Sequence, residues 1–83
     1  FNLYIRLTQM SDHILDLHGI RHHEIDLIVE NFVFLNQHLL PLTIICGNSS
    51  KMIHLVVKVL ERHSVNYYSG EGFDYGKISI LEL

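Results

Sequence analysis

The stretch Leu15-Asp16-Leu17-His18-Gly19 decides how this chain folds and where its chemistry would lie. Two leucines alternate with two ionisable residues, and the glycine then ends the run. Because side chains alternate between the faces of a β-strand, the pattern predicts a strand end with the leucines on one face and Asp16 and His18 on the other. A carboxylate two residues before an imidazole can orient the ring, fix its tautomer and raise its basicity. Short Asp-x-His patterns also occur by chance, so a simple polar strand end is the alternative.

Length and composition limit the classes of function. The 83 residues allow one small domain, and a hydrophobic content of 48% argues against disorder. The net charge of -3 means that a nucleic acid would have to be bound by a local patch or by the seven histidines, not by bulk charge. A single cysteine, Cys46, excludes an internal disulfide and is typical of a reducing compartment, so we expect a cytoplasmic protein. No apolar run approaches the ~20 residues that span a bilayer, and we expect no membrane partner.

The segment before the first strand, residues 1–12, has two interpretations. Its first seven residues alternate apolar and polar side chains, as in a short strand that could pair at a sheet edge. It could equally be an extension outside the domain, because Met10-Ser11-Asp12 would make a natural start. We therefore predict an N-terminal extension over residues 1–12 and a domain over residues 13–83.

A helix is predicted after the glycine, from about residue 22 to residue 37. Glu24 and Asp26 lie in its first turn, where the helix dipole favours negative charge, and Pro41 marks the exit. Apolar residues recur at intervals of three and four, which predicts a buried stripe formed by Ile25, Ile28, Val29, Phe32 and either Leu35 or Asn36.

The next run, residues 42–46, is almost continuously apolar and predicts a central strand buried on both faces. The turn Gly47-Asn48-Ser49-Ser50 follows it. A second helix is predicted from about residue 50 to residue 63, with Ser49 or Ser50 as its N-cap. Its inward stripe would be formed by Ile53, Val56, Val57 and Leu60.

Two more strands complete the chain, over residues 64–68 and 77–83, and a loop with spaced glycines joins them. The order is therefore β-α-β-α-β-β. It predicts an α/β (α+β) two-layer sandwich, with a mixed four-stranded sheet, both helices on one face and a C-terminal hairpin.

Two strand-to-helix turns are candidates for chemistry, the one at Asp16 and His18 and the one over residues 46–51. If their strands are parallel neighbours, both turns open at one sheet edge, where α/β sheets usually build their sites. Amide groups at the start of the second helix, together with Lys51, could hold a phosphate oxygen. The alternative is an ordinary strand–turn–helix joint with a serine cap. The chain has neither a Walker A nor a GxGxxG pattern, so nucleotide binding has no support.

The first motif resembles the LDxHG motif of Smr domains, the small MutS-related domains. The resemblance continues through the order of helices and strands over residues 13–83, and residues 42–47 correspond to the strand that in the family usually ends in HGxGxG. It implies a fold similar to the C-terminal domain of translation initiation factor three, and an activity that nicks or cleaves DNA or RNA. It also implies that Asp16 and His18 are functional.

The second motif departs from the family pattern. Cys46 stands where the family usually has His, Gly47 matches, and Ser49 and Lys51 replace the later glycines. Cysteine cannot supply the base or the cation of an imidazole, and larger residues limit close approach of the backbone to a phosphodiester. The alternative function is therefore a noncatalytic module that binds nucleic acid or protein.

The resemblance implies that His18, oriented by Asp16, acts as general base or acid in phosphodiester cleavage. With RNA, the 2′-OH of the substrate can be the attacking group. Exposed bases could stack on aromatic residues of the C-terminal half, although packing in the core or hairpin is the expected role of two or more of Tyr67, Tyr68, Phe73 and Tyr75. The predicted nucleic-acid-binding residues are Arg21, Gly47, Asn48, Ser49, Ser50 and Lys51. His22 and His23, next to Arg21, could also touch the backbone of the nucleic acid, and for all three the alternative is a solvated helix start.

The histidines do not have the spacing of a metal site, because His22 and His23 are adjacent and point apart on a helix and the others lie on different elements. We therefore predict no dedicated metal site and no firm cofactor. Asp16 and His18 could bind a divalent ion such as Mg²⁺ or Mn²⁺ weakly, together with substrate oxygens.

Overall fold

The structure is a computed structural model and describes residues 13–82, so the expectations for residues 1–12 lie outside the described residues. Short 3₁₀ turns connect some of the elements, at His22–Glu24, Gln37–Leu39 and Gly72–Asp74. The predicted order of strands and helices is confirmed. It consists of β1 (Ile14–Asp16), α1 (Ile25–Leu35), β2 (Leu42–Ile45), α2 (Ser50–Arg62), β3 (Asn66–Ser69) and β4 (Lys77–Glu82).

The four strands form one mixed sheet in the order β1-β2-β4-β3. β1 runs parallel to β2 with Leu15 opposite Ile44, and β4 runs antiparallel to β2 with Ile78 opposite Ile44. β3 and β4 form the predicted C-terminal hairpin. Because β1 and β2 are parallel neighbours, the turns that follow them leave the sheet at the same edge.

The hydrophobic core lies between one face of the sheet and both helices. The register partners Leu15, Ile44 and Ile78 are all fully buried, and they belong to the same cluster as the inward residues of the helices. Within residues 13–82, neither helix is long and apolar enough to cross a membrane. The helical residues of the core are Ile25, Ile28, Val29, Phe32 and Val33 in α1 and Met52, Val56, Val59 and Leu60 in α2.

The prediction that the central strand is buried on both faces is wrong. Leu42 and Ile44 are buried, but Thr43 and Ile45 are only half-buried and line an open groove of about 330 Å³ on the face away from the helices. The physical reason is that a two-layer fold covers only one side of its sheet.

Two details of the helices and the start of the third strand also differ from the predictions. Leu35 is 60% exposed because α1 ends there, where the Asn36 side chain donates to the Phe32 carbonyl at 2.9 Å. Ile53 and Val57 are half-buried and pack at the margin of the core. The third strand starts two residues later than predicted, because residues 63–65 close α2.

The end of α2 is a Schellman motif built on a residue other than glycine. Ser64 has a φ of 57°, and its amide donates to the Glu61 carbonyl at 3.1 Å. The amide of Val65 donates to the Leu60 carbonyl at 2.9 Å. These two bonds satisfy carbonyls of the last helical turn and direct the chain toward β3.

Candidate functional site at the edge of the sheet

Asp16, the last residue of β1, and His18, two residues after it, form a hydrogen-bonded pair. One carboxylate oxygen, Oδ1 of Asp16, accepts the backbone N–H of His18 at 3.0 Å and lies 2.5 Å from Nδ1 of the His18 ring. An ionised carboxylate can only accept, so Nδ1 carries the proton of this bond. In the neutral ring, Nε2 is then the nitrogen that can accept a proton.

The carboxyl group of Asp16 is held in its ionised form. The backbone N–H of His18 is the largest cause that lowers the pKa of Asp16, and the ring of His18 lowers it further, whereas partial burial acts in the opposite direction. The His18 side chain is 66% exposed, so a substrate in solution can reach the ring. The carboxylate of Asp16 is therefore a charged hydrogen-bond acceptor that orients the accessible imidazole of His18.

The ring of His18 lies directly against the backbone of Gly47. A β-carbon built on Gly47 would stand 2.9 Å from Nε2 of His18, closer than real β-carbons come to such atoms. Gly47 also has a φ of 72°, which L side chains rarely adopt. The two turns that the sequence predicted as candidates for chemistry therefore meet at this point. Residue 47 must be a glycine both because a β-carbon would collide with the His18 ring and because the backbone has a positive φ.

A third backbone segment, which the sequence did not predict to be part of the site, packs against Gly47. The carbonyl of Gly76 accepts the amide of Cys46 at 2.6 Å, and a β-carbon on Gly76 would overlap the carbonyl oxygen of Gly47. Gly76 has a φ of 92°. The spaced glycines of residues 70–76 were the available signal, but only the pairing of β2 with β4 brings Gly76 onto Gly47.

The start of α2 lies three residues after Gly47 and is capped by Ser49, one of the two predicted candidates. The Ser49 hydroxyl oxygen accepts the Met52 amide at 3.1 Å, so this amide is not available to a ligand. The amides of Ser50 and Lys51 belong to the same open first turn. Both residues are solvent-exposed, as is Asn48.

Two of the predicted binding residues, Arg21 and Lys51, are solvent-exposed. Within residues 13–82, the structure records no hydrogen bond or ion pair that joins either side chain to His18. The site that the fold assembles therefore consists of Asp16, His18 and Gly47, with Gly76 behind Gly47. Arg21 and Lys51 are related to this site only by their positions in the chain, in the turns that follow β1 and β2.

Cys46 is part of the core and not of the site. Its side chain is 5% exposed, and burial raises the pKa of its thiol to about 11. A buried thiol with so high a pKa is a poor nucleophile near neutral pH. An imidazole at this position, as in the usual family motif, would point into the same apolar cluster.

Groups that could hold a metal ion are sparse in the part of the chain that the structure describes. Residues 13–82 contain no cluster of three or more His, Cys, Asp or Glu side chains with suitable geometry. Asp16 and His18 supply at most two ligand atoms here, Oδ2 and Nε2, because Oδ1 and Nδ1 are bonded to each other.

Comparison with known proteins adds no constraint on this site. No family model, curated protein or solved structure matches the chain. The resemblance to Smr domains therefore stays a prediction from the sequence, and any assignment of function depends on the geometry of Asp16, His18 and Gly47.

Proposed function

We propose that this domain is an Smr-like nuclease that nicks or cleaves phosphodiester bonds in DNA or RNA. The observation that supports it is the position of His18, whose Nδ1 is held by Asp16 while its Nε2 lies over Gly47 at the edge of the sheet. A fold similar to the C-terminal domain of translation initiation factor three, and a reducing cytoplasmic location in keeping with one buried thiol, belong to the same proposal.

His18 would act first as a general base in this reaction. The attacking oxygen forms a bond to phosphorus, its proton moves to Nε2 of His18, and the bond from phosphorus to the leaving oxygen breaks. In RNA the attacking oxygen is the 2′-OH, and in DNA it is a water molecule. The imidazolium then returns its proton to the leaving oxygen, while the charge of Asp16 stabilises the protonated ring.

The phosphate would lie on the turn that follows β2. Gly47 has no side chain, so a phosphate oxygen can approach the backbone of residues 47–50 closely. Lys51, at the end of this turn, and Arg21, in the turn after β1, are both exposed and would supply positive charge. This arrangement gives a local site for an anion on a chain whose net charge is -3.

The proposal is tested by cleavage assays on supercoiled DNA and on structured RNA. We expect His18→Ala to lower the cleavage rate by about 10²–10⁴-fold, the usual contribution of a general acid–base group. Asp16→Asn should also lower it, because the amide no longer supplies the charge that stabilises the ring. His38→Ala is the matched control, since that histidine is exposed in the 3₁₀ turn before β2 and lies outside the pair. Equal activity in all four proteins would contradict the proposal.

The same assay, repeated with EDTA and with added metal ions, tests a role for Mg²⁺ or Mn²⁺. Asp16 and His18 offer two ligand atoms at most, so such an ion would need substrate oxygens to complete its coordination. Loss of cleavage in EDTA, with recovery on added Mg²⁺ or Mn²⁺, would support this role. Unchanged cleavage in EDTA would exclude it.

A noncatalytic module that binds nucleic acid or protein is the second candidate. The observations that favour it are the burial of Cys46 and the use of the Ser49 hydroxyl as a helix cap, since neither offers a reactive group to a substrate. Salt-dependent binding without cleavage by the wild-type protein would support this function over the nuclease.

A further inference from the structure

Phe73 is the most exposed of the large hydrophobic side chains that the structure describes. It is 107% exposed, more than in an extended reference chain, and lies in the 3₁₀ turn between β3 and β4. Tyr68 and Tyr75 on either side of it are 60% and 46% exposed. Only Tyr67 of the four aromatic residues in this half packs against the core. Three exposed rings within eight residues are more than the scattered apolar side chains that protein surfaces normally show.

Hydrogen bonds within the loop hold the backbone that presents Phe73. The Asp74 amide donates to the Glu71 carbonyl at 3.0 Å, and the Tyr75 amide donates to the Gly72 carbonyl at 3.1 Å. The Gly70 amide donates to the Lys77 carbonyl at 2.9 Å, which closes the base of the loop. The ring is therefore exposed on an ordered turn, and little conformational entropy is lost when a flat ligand stacks on it.

The loop that bears Phe73 ends at the candidate catalytic site. Gly76 packs on Gly47, and Gly47 in turn packs on the ring of His18. Phe73 precedes Gly76 by three residues, so their Cα atoms are separated by at most about 11 Å. That upper limit is no more than about three nucleotides even at the duplex rise of roughly 3.4 Å, so a base on Phe73 would belong to the same short segment as a phosphate at Gly47.

We propose that Phe73 is a stacking platform for an unpaired base, and that it makes the site select single-stranded over duplex nucleic acid. This inference rests on the proposed function and specifies its substrate. Every base has a π-face, so an aromatic ring binds unpaired bases of any sequence, whereas the bases of a duplex are stacked on one another.

The charged residues near Phe73 are better suited to a stacked base than to a bound phosphate. Glu71 and Asp74 lie close to Phe73 in the sequence, and Nζ of Lys77 lies 3.9 Å from Oδ1 of Asp74. The loop therefore has no cation free of a nearby carboxylate with which to bind phosphate. A flat apolar surface at such a place is suited to the uncharged face of a base, with the phosphates directed toward Gly47 and Lys51.

The test is binding of a fluorescent oligonucleotide of about 12 nucleotides, single-stranded or in a duplex, by anisotropy. We expect the wild-type protein to bind the single strand more tightly than the duplex. Phe73→Ala should weaken single-strand binding by about 5- to 150-fold, the range measured when one base-stacking ring is removed, and leave duplex binding unchanged. Phe73→Trp should keep wild-type affinity, because it retains an aromatic face.

Leu27→Ala is the matched control, because it truncates another exposed apolar side chain, on α1, and should change affinity by no more than about twofold. A strand with 2-aminopurine provides a direct readout, since its emission is quenched on stacking. Phe73 is fully exposed, so Phe73→Ala should unfold at the wild-type midpoint.

Three results would overturn the inference. If the wild-type protein binds or cleaves nucleic acid and Phe73→Ala does so equally well, the stacking role is wrong and the proposed function stands. If Phe73→Ala weakens single-strand and duplex binding alike, the selectivity is wrong. If the wild-type protein binds neither oligonucleotide, both proposals fail.

Discussion

The Nε2 atom of His18 lies 2.9 Å from the point that a β-carbon on Gly47 would occupy. The other nitrogen of the same ring, Nδ1, is hydrogen-bonded to Oδ1 of Asp16. The imidazole is therefore held between a carboxylate and a glycine backbone, and its orientation is set by a local hydrogen bond at one end and a tertiary contact at the other.

Gly47→Ala should affect both stability and activity. A non-glycine residue at a φ of 72° costs about 1–2 kcal/mol, and the added methyl group would displace the His18 ring. We expect a lower free energy of unfolding in urea and a cleavage rate close to that of His18→Ala.

Gly72→Ala is the control for this prediction. Gly72 has a φ of 61°, and a β-carbon built there has no neighbour within 4 Å, so it shares the backbone strain without the collision. It should lose similar stability and keep its cleavage rate at saturating substrate, because it leaves His18 and Gly47 in place and alters only the loop that bears Phe73. If the two variants cleave equally, the contact of His18 with Gly47 is not needed for catalysis.

Ser49→Ala should destabilise the protein by about 1 kcal/mol, because it removes the hydroxyl that accepts the Met52 amide at the start of α2. Urea unfolding measures the effect. Ser50→Ala changes an exposed residue at the first helical position and should stay within about 0.5 kcal/mol of wild type. A larger loss for Ser50→Ala than for Ser49→Ala would mean that the cap is assigned to the wrong serine.

Cys46 should react slowly with a thiol reagent in the native protein. Burial raises the pKa of its thiol from 9.0 to about 11, which by itself lowers the thiolate fraction near neutral pH by about 100-fold. The protein unfolded in urea and a Ser50→Cys variant, which adds an exposed thiol, provide the fast references. Native reactivity equal to that of the unfolded chain would contradict the burial of Cys46.

Glu30 should contribute a pH-dependent part of the stability by joining α1 to the end of α2. Its carboxylate lies 2.5 Å from Nε2 of His63 and 3.2 Å from Nη2 of Arg62, and these two bonds, that of His63 first, lower the pKa of Glu30. Because the folded pKa lies below the unfolded value, the stabilisation is present above the unfolded pKa and is lost as the pH falls through the folded one.

We therefore expect Glu30→Gln to be less stable than wild type near neutral pH, with a difference that shrinks as the pH falls below the ordinary pKa of Glu, about 4.3, and on through the lower folded pKa. Urea unfolding at several pH values measures it, and Glu71→Gln is the control, since it removes an exposed carboxylate from the β3–β4 loop. A difference between Glu30→Gln and wild type that stays constant with pH would show that the Glu30 contacts do not depend on its charge.

The elements of the fold could be predicted because they depend on local properties of the chain. The period of apolar residues placed α1 and α2, the alternation in residues 15–18 placed the end of β1, and a serine after Gly47 indicated the start of α2. These signals come from geometry that repeats every two or 3.6 residues and needs no knowledge of the rest of the chain.

Burial was less predictable where it depends on what covers a face. Thr43 and Ile45 follow an apolar pattern yet line an open groove, because both helices pack on the other side of the sheet. Leu35 fits the helical period yet is exposed, because α1 ends at that residue. Periodicity gives the direction of a side chain but not the presence of a neighbour in that direction.

The sequence by itself determined the order of the elements and the pairing of Asp16 with His18, because both follow from residues close together in the chain. Only the tertiary structure decided that His18 meets Gly47 and that Gly76 supports Gly47 from behind. Those contacts join residues that are about 29 positions apart, and they exist because β1 and β4 both pair with β2 and so bring three separate turns to one edge of the sheet.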